Sequence, residues 1–302
     1  MKKWHFLVSL IIDDGDYQTE QANAAQETAR RLGVEVQILY AENDSITQSQ
    51  QLLTAIQSRP ESRPHGIIFE PAGGTALPQV AQAAVSAGIA WVVLNRGPSY
   101  LPELRKASSA PAFAISADHL EIGRLQGRQI SALLPKGGCV LHIQGPSHSP
   151  AALERTEGMR QTKLETIQVQ ALRAKWTAES STRAVQSWLS LTTSRNARID
   201  LVAAQDDSMA MGARGAFEQI EDAVERDKWL RLPYIGCDGL PKTGQEYVRK
   251  GLLAATVYIQ PNTPLALEML TKALAGGARP PEKTLTTPKS IPSLEELASK
   301  HS

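Results

Sequence analysis

The sequence predicts an α/β protein made of two doubly wound parallel-sheet lobes joined by a multi-strand hinge. Three observations carry this. Short runs of Val, Ile and Leu alternate with longer segments of helical spacing, the mark of βαβ units. The alternation restarts midway, so the chain reads as two similar halves, each of about five βα repeats. At 302 residues the length also suits two domains of roughly 120–140 residues better than one sheet of about ten strands.

The first half begins with a strand from His5 to Ile12 and a helix from Thr19 to Leu32, closed by Gly33. A strand from Val34 to Tyr40 and a helix from Ser45 to Ser58 follow. Next come a strand from Gly66 to Phe69, a helix from Leu77 to Ala87 closed by Gly88, and a strand from Ala90 to Leu94. Gly33 and Gly88 fit the left-handed position that ends a helix. After Phe113 to Ser116 the second half runs helix His119–Leu134, strand Cys139–Ile143, helix Ala151–Leu164 and strand Val169–Ala174. Helix Ser180–Leu191, strand Leu201–Ala204, helix Ser208–Ile220 and strand Tyr234–Cys237 complete it. A last strand, Leu253 to Ile259, and a helix, Thr263 to Leu274, have no partner in sequential order and are expected to cross back between lobes. Residues 275–281 read as a surface loop and 288–302 as a closing tail. The lobes are therefore expected at 1–116 plus 261–287 and at 117–260 plus 288–302.

Composition narrows the function. Lys and Arg number 32 against 31 acids, a net charge of +1, so nothing favours nucleic acid or an anionic membrane. The longest apolar run, Phe6 to Ile12 interrupted by Ser9, is far below the roughly 18 residues that span a bilayer. Met1-Lys2-Lys3 before that run looks like the start of a secretory leader. However, Asp13-Asp14 ends it and no small-x-small cleavage site follows, so it reads as the first strand. The expected location is extracytoplasmic if a leader has been removed, cytoplasmic if the N-terminus is native. Cys139 and Cys237 are too few for a disulfide framework or a zinc site. No cofactor is expected.

Parallel sheets bind ligands beyond the carboxyl ends of their strands. Those ends carry Tyr17-Gln18, Glu70-Pro71, Asn95-Arg96, Gln144-Gly145, Lys175-Trp176, Gln205-Asp206-Asp207 and Asp238-Gly239. Carboxylates, amides and Arg forks satisfy both the donor and the acceptor of a hydroxyl, and aromatic faces cover a sugar ring. Asp206 and Asp207 diverge from a strand end, so one is expected to serve a ligand and the other to cap the helix at Ser208. Each candidate keeps a structural alternative: a solvated charge for Arg155, core packing for Trp176, a helix-to-sheet staple for Tyr17, a helix cap for Asp238. Enzyme signatures are missing. There is no G-x-G-x-x-G after the first strand and no phosphate loop, and Gly145-Pro146-Ser147-His148-Ser149 ends in Ser where a nucleophile elbow needs Gly. The six His residues lack metal-ligand spacing.

At these residues the chain resembles the ribose-type periplasmic sugar-binding proteins and the ligand-binding core of lactose-repressor-type regulators. The resemblance runs through Leu94-Asn95-Arg96, Gln144-Gly145, Glu154-Arg155-Thr156-Glu157-Gly158-Met159 and Ala204-Gln205-Asp206-Asp207-Ser208-Met209. It continues through Ile235-Gly236-Cys237-Asp238-Gly239 to Leu253-Ala254-Ala255-Thr256-Val257. It implies a type I binding-protein fold, no catalysis, and a monomer that captures a sugar by hinge closure between the lobes, for the membrane permease subunits of an ABC-type importer. The alternative is a sugar-sensing core for a regulator or receptor. Since the first strand begins by about residue 4, no DNA-binding domain is expected ahead of it. By position the implied ligand contacts are Tyr17, Gln18, Asn95, Arg96, Arg155, Trp176, Asp206, Asp238 and Gln260. Three departures stand out: Asn95 replaces the family's Asp, Asp206 replaces its Asn, and the Gln of the last crossing strand falls at Ile259 with Gln260 beside it. With an acidic first loop (Asp13, Asp14, Asp16), these imply a hydroxyl pattern other than ribose and leave room for a modified sugar.

Overall fold

A computed structural model of the chain describes residues 4–13, 15–74, 76–195 and 197–299, so Met1-Lys2-Lys3 and Asp14 lie outside the described residues. The chain divides into two compact units, Met1–Ala117 with Pro261–Thr286 and Asp118–Gln260 with Thr287–Ser302.

The first unit is built on a parallel sheet. Its strands are β1 (His5–Leu10), β2 (Glu35–Tyr40), β3 (Gly66–Phe69), β4 (Ala90–Leu94), β5 (Ala112–Ala117) and β11 (Lys283–Thr286), in the order β11-β5-β4-β3-β1-β2. Period-two alternation sends successive side chains to opposite faces. Phe6, Val8 and Leu10 of β1, Ile68 of β3, and Val92 and Leu94 of β4 pack under helices α1 (Asp16–Leu32) and α12 (Thr263–Leu274). Leu7, Ile67, Phe69, Trp91 and Val93 fill the other face, under α2 (Ser45–Gln57), α3 (Pro78–Ser86) and α4 (Leu101–Ala107). Each such fully buried side chain contributes about 1.5–3 kcal/mol. Gly33 ends α1 at φ 67°, the left-handed cap expected of it.

The second unit holds β6 (Gly138–Gln144), β7 (Ile167–Arg173), β8 (Leu201–Ala204) and β9 (Tyr234–Ile235) in the parallel order β7-β6-β8-β9. Strand β10 (Thr256–Tyr258) pairs antiparallel with β12 (Lys289–Ile291), and single bridges at Ile235–Ala255 and Asp238–Tyr258 continue the parallel edge toward it. Helices α7 (Ala178–Leu189), α9 (Asp207–Glu218) and α10 (Ala223–Leu230) cover one face, around Leu141, Ile143, Trp188, Phe217 and Trp229. Helices α5 (His119–Leu133), α6 (Pro150–Thr162) and α13 (Leu294–Ser299) cover the other, around Ile130, Val140, Met159 and Leu201. Two short helices remain, α8 (Thr192–Arg195) and α11 (Gly244–Arg249).

Helices α5 and α6 meet almost backbone to backbone. A Cβ on Gly123 would stand 2.1 Å from the Arg155 carbonyl oxygen, and one on Gly158 2.0 Å from that of Leu120. This contact sets the position of the α6 turn that bears Arg155.

The structure departs from the sequence reading at short elements. Helices α4, α10 and α11 and strands β11 and β12 were not expected. In α10 only Trp229 is buried, so it has too little apolar periodicity to announce itself. The strand expected from Leu253 is confined to Thr256–Tyr258, because the Leu252 and Leu253 N–H groups close a turn onto the Tyr247 carbonyl. Among the described residues no helix is long and apolar enough to cross a membrane, and no cluster of three His, Cys, Asp or Glu could hold a metal.

Candidate functional site

In the first unit, register decides which side chains meet. Phe69 lies level with Ser9 and with Val93, so the chain leaves β3 at Glu70 and β4 at Asn95 on the same edge. The first turn of α1 brings Tyr17 and Gln18, both half-buried, to that edge. Glu70 is 8% exposed and its carboxylate accepts from Gln18 Nε2 at one oxygen and from Asn95 Nδ2 at the other, each at 2.9 Å. Ile11 N donates to Gln18 Oε1 at 3.1 Å, and Asn262 Nδ2 donates to Asn95 Oδ1 at 2.7 Å. Thr286 Oγ1 in turn donates to Asn262 Oδ1 at 3.1 Å. The Glu70 backbone is clamped as well: its N–H donates to the Ser9 carbonyl, and its own carbonyl accepts from Gln48 Nε2 at 2.8 Å.

Arg96 follows Asn95 and is half-buried. Burial lowers its guanidinium from the ordinary value, and the charge of Glu70 opposes that shift. Asn95 itself sits at φ 56°, a left-handed conformation that Asn tolerates better than most residues.

In the second unit, Arg155 on α6 is 6% exposed, which removes the solvated-charge reading. Its Nη1 donates to the Gln205 carbonyl, its Nη2 stands 4.0 Å from Asp238 Oδ1, and its Cζ lies 5.5 Å from the centroid of the Trp176 ring. Trp176 is half-buried, its indole packed against Gly145, where a Cβ would be 2.3 Å from Cζ2. Gln205 is fully buried and satisfied: Oε1 accepts from Gly145 N at 2.9 Å, and Nε2 donates to the Ala152 carbonyl at 3.0 Å and to Thr156 Oγ1 at 2.9 Å. It ties the ends of β6 and β8 to α6, and so fixes Arg155 and Trp176 together.

The two adjacent acids have different tasks. Asp206 caps α9 by accepting from Met209 N. Asp207 points inward, accepting from Gly239 N and from Thr256 Oγ1, each at 2.7 Å. Burial first, and then the nearby charge of Asp238, push the Asp207 carboxyl well above the ordinary range. Asp238 is thus held beside Arg155 on a turn pinned from below. Gln260 follows Ile259, whose N–H donates to the Asp238 carbonyl at 2.9 Å, so it lies at the carboxyl end of β10. Burial raises the Cys237 thiol, and nothing in the fold exposes it as a nucleophile.

Trp176 and Asp238 share a left-handed backbone with Asn95, at φ 63° and 93°. For a bulky residue such as Trp that is an outlier, and such strain gathers where side chains must be aimed. Of the sequence-selected residues, Arg155, Trp176 and Asp238 converge in the second unit, and Gln18 and Asn95 converge on Glu70 in the first. Sequence reading had placed Glu70 at a strand end without giving it a role, and it missed Asn262 and Gln205 as organisers. A buried acid directly after an all-apolar strand was the available signal for Glu70.

The sequence matches the family model described as periplasmic binding protein domain over residues 6–278. Over 212 residues it is 30% identical to a protein of Rhizobium meliloti that carries the provisional name rhizopine-binding protein, which covers 68% of this chain and 64% of that one. The chain thus spans a little under two thirds of that relative. Against the ribose import binding protein RbsB of Salmonella typhimurium it is 25% identical over 257 residues, 84% of this chain and 79% of that one. The fold is similar to the crystal structure of an ABC transporter periplasmic solute binding protein from Actinobacillus succinogenes with bound D-allose, with a TM-score of 0.82. The match covers 98% of this chain and 100% of that one at 20% identity.

Proposed function

The chain belongs to the periplasmic binding protein family, and from that premise we propose that it is a solute-binding protein for a neutral, polyhydroxylated ring, a sugar or a sugar-like cyclic polyol. The observation that carries this reading is the convergence of Arg155, Trp176 and Asp238, with Arg155 5.5 Å from the indole centroid and 4.0 Å from the carboxylate. A guanidinium donates to ring and hydroxyl oxygens, a carboxylate accepts hydroxyl protons, and an indole face covers the apolar side of a ring. Each guanidinium already has an acid at hand: Asp238 lies beside Arg155, and Glu70 acts on Arg96. A neutral ligand leaves those two pairings intact.

The mechanism that follows involves no bond making. The ligand meets Arg155, Trp176, Asp238 and Gln260 from one unit and Tyr17, Gln18, Asn95 and Arg96 from the other, and hinge closure removes it from water. The closed form is then the species that permease subunits of an ABC-type importer recognise. The relatives named as ribose import binding proteins support this class of ligand.

Thermal unfolding against a panel of aldoses, cyclic polyols, amino sugars and sugar acids tests it. A ligand present at 100 times its dissociation constant adds about 2.7 kcal/mol of stability. Stabilisation by a neutral polyol is the expected result; a panel with no effect would remove the proposal. Stimulation of ATP hydrolysis by reconstituted permease subunits, only when the binding protein is loaded, tests the importer role.

A further inference from the structure

Resting on that function, we propose that Glu70 is a positioning residue that decides which polar groups the first unit offers the ligand, and that the amide at Asn95 is its obligatory counterpart. The charge and the amide form one matched pair across the ends of β3 and β4.

The hydrogen bonds fix every orientation. Gln18 must turn Nε2 toward Glu70, because its Oε1 is held by Ile11 N at 3.1 Å. Asn95 must turn Nδ2 toward Glu70, because its Oδ1 accepts from Asn262 Nδ2 at 2.7 Å. Asn262 then turns Oδ1 toward Thr286 Oγ1, and that hydroxyl donates to it. Glu70 is the acceptor on which this chain of donors ends, with its backbone held by Ser9 and Gln48. Each amide keeps one N–H beyond those used. The first unit therefore presents N–H donors from Gln18, Asn95 and Arg96 around a recessed carboxylate, and is matched to ligand oxygens that accept.

An acid at 95 would set a second acceptor 2.9 Å from Glu70 with no proton between them. An amide at 70 alone would turn a donor toward the donor of Gln18 or of Asn95. The two changes together close the chain again. The amide introduced by Glu70→Gln would accept from Gln18 and donate to the acid introduced by Asn95→Asp, which still accepts from Asn262.

The experiment is calorimetric titration of the wild type, E70Q, N95D and E70Q/N95D with D-ribose, D-allose, myo-inositol and D-glucosamine, alongside thermal unfolding without ligand. Each single change is expected to weaken the best probe about tenfold or more. E70Q should also reorder the probes, which a purely structural loss would not do. The double variant should regain the wild-type melting temperature, because the chain of donors closes again, while its order of preference stays altered, because the acid at 95 offers the ligand no N–H. Melting-temperature losses that add in the double variant, or an E70Q protein with unchanged affinity and order, would overturn the role of Glu70 while leaving the function standing. If none of the probes binds the wild type, the sugar-binding reading falls and the Glu70 proposal falls with it.

Discussion

The Gly239 N–H donates to the Asp207 carboxylate across 2.7 Å, so the first residue of α9 holds the turn that carries Asp238. The same carboxylate takes the hydroxyl of Thr256 on β10, joining two separate strand ends through one buried acid. The turn keeps Asp238 at φ 93°, and this clamp opposes its relaxation.

Asp207 should therefore make stability depend on pH. Its folded value lies above the ordinary 3.8, so the folded state holds the proton longer than the unfolded state. The contribution is full below 3.8 and is lost as pH rises through the folded value. Asp207→Asn keeps an acceptor for Gly239 and offers Thr256 a donor, so it should gain stability relative to the wild type as pH rises. Urea unfolding of both proteins across pH measures this; a difference that shrinks with rising pH would reverse the assignment.

His142 should act with the opposite sign. Burial, then the charges of Arg160 and Arg173, lower it from 6.5 to about 4, so it is neutral in the fold. Its contribution is present above 6.5 and is lost as pH falls toward 4, a change of roughly 3 kcal/mol. Replacing it with Gln should flatten that limb of the profile, and an unaltered slope would show that another group drives it.

Asp238→Asn should separate binding from folding. Asn tolerates the left-handed backbone, and the change removes the charge that raises Asp207. Ligand affinity should fall about tenfold or more, with the melting temperature held or slightly raised. Retained affinity in a titration would place the ligand elsewhere.

Gly123→Ala should cost more than an ordinary surface change, because its Cβ meets the Arg155 carbonyl at 2.1 Å and backbone cannot step aside. A loss of about 1–3 kcal/mol or more is expected, together with weaker ligand binding as α6 carries Arg155 outward. Full stability with full affinity would mean that the helices can separate at no cost.

Much of the architecture was legible because the strands of both units, flanked by helices on two faces, are written as short apolar runs. Asp238, Arg155 and Trp176 could be selected because each stands at a strand end or in an early helical turn. Glu70 could be located but not interpreted. Its role depends on Gln18, Asn95 and Asn262, which register and helix packing bring together and which no periodicity records. That Asp206 and Asp207 divide their tasks could be read, but not which of them caps α9, since one capping bond and one turn at Gly239 decide it.

The division of each unit into two chain segments has a consequence for synthesis. The edge strand β11, which completes the first sheet beside β5, arrives only at Lys283–Thr286, and the second unit lacks β12 until Lys289–Ile291. A ribosome must therefore deliver nearly the whole polypeptide before either unit can close its last hydrogen-bond ladder. During that interval each unit carries an unpaired strand edge that a chaperone can shield.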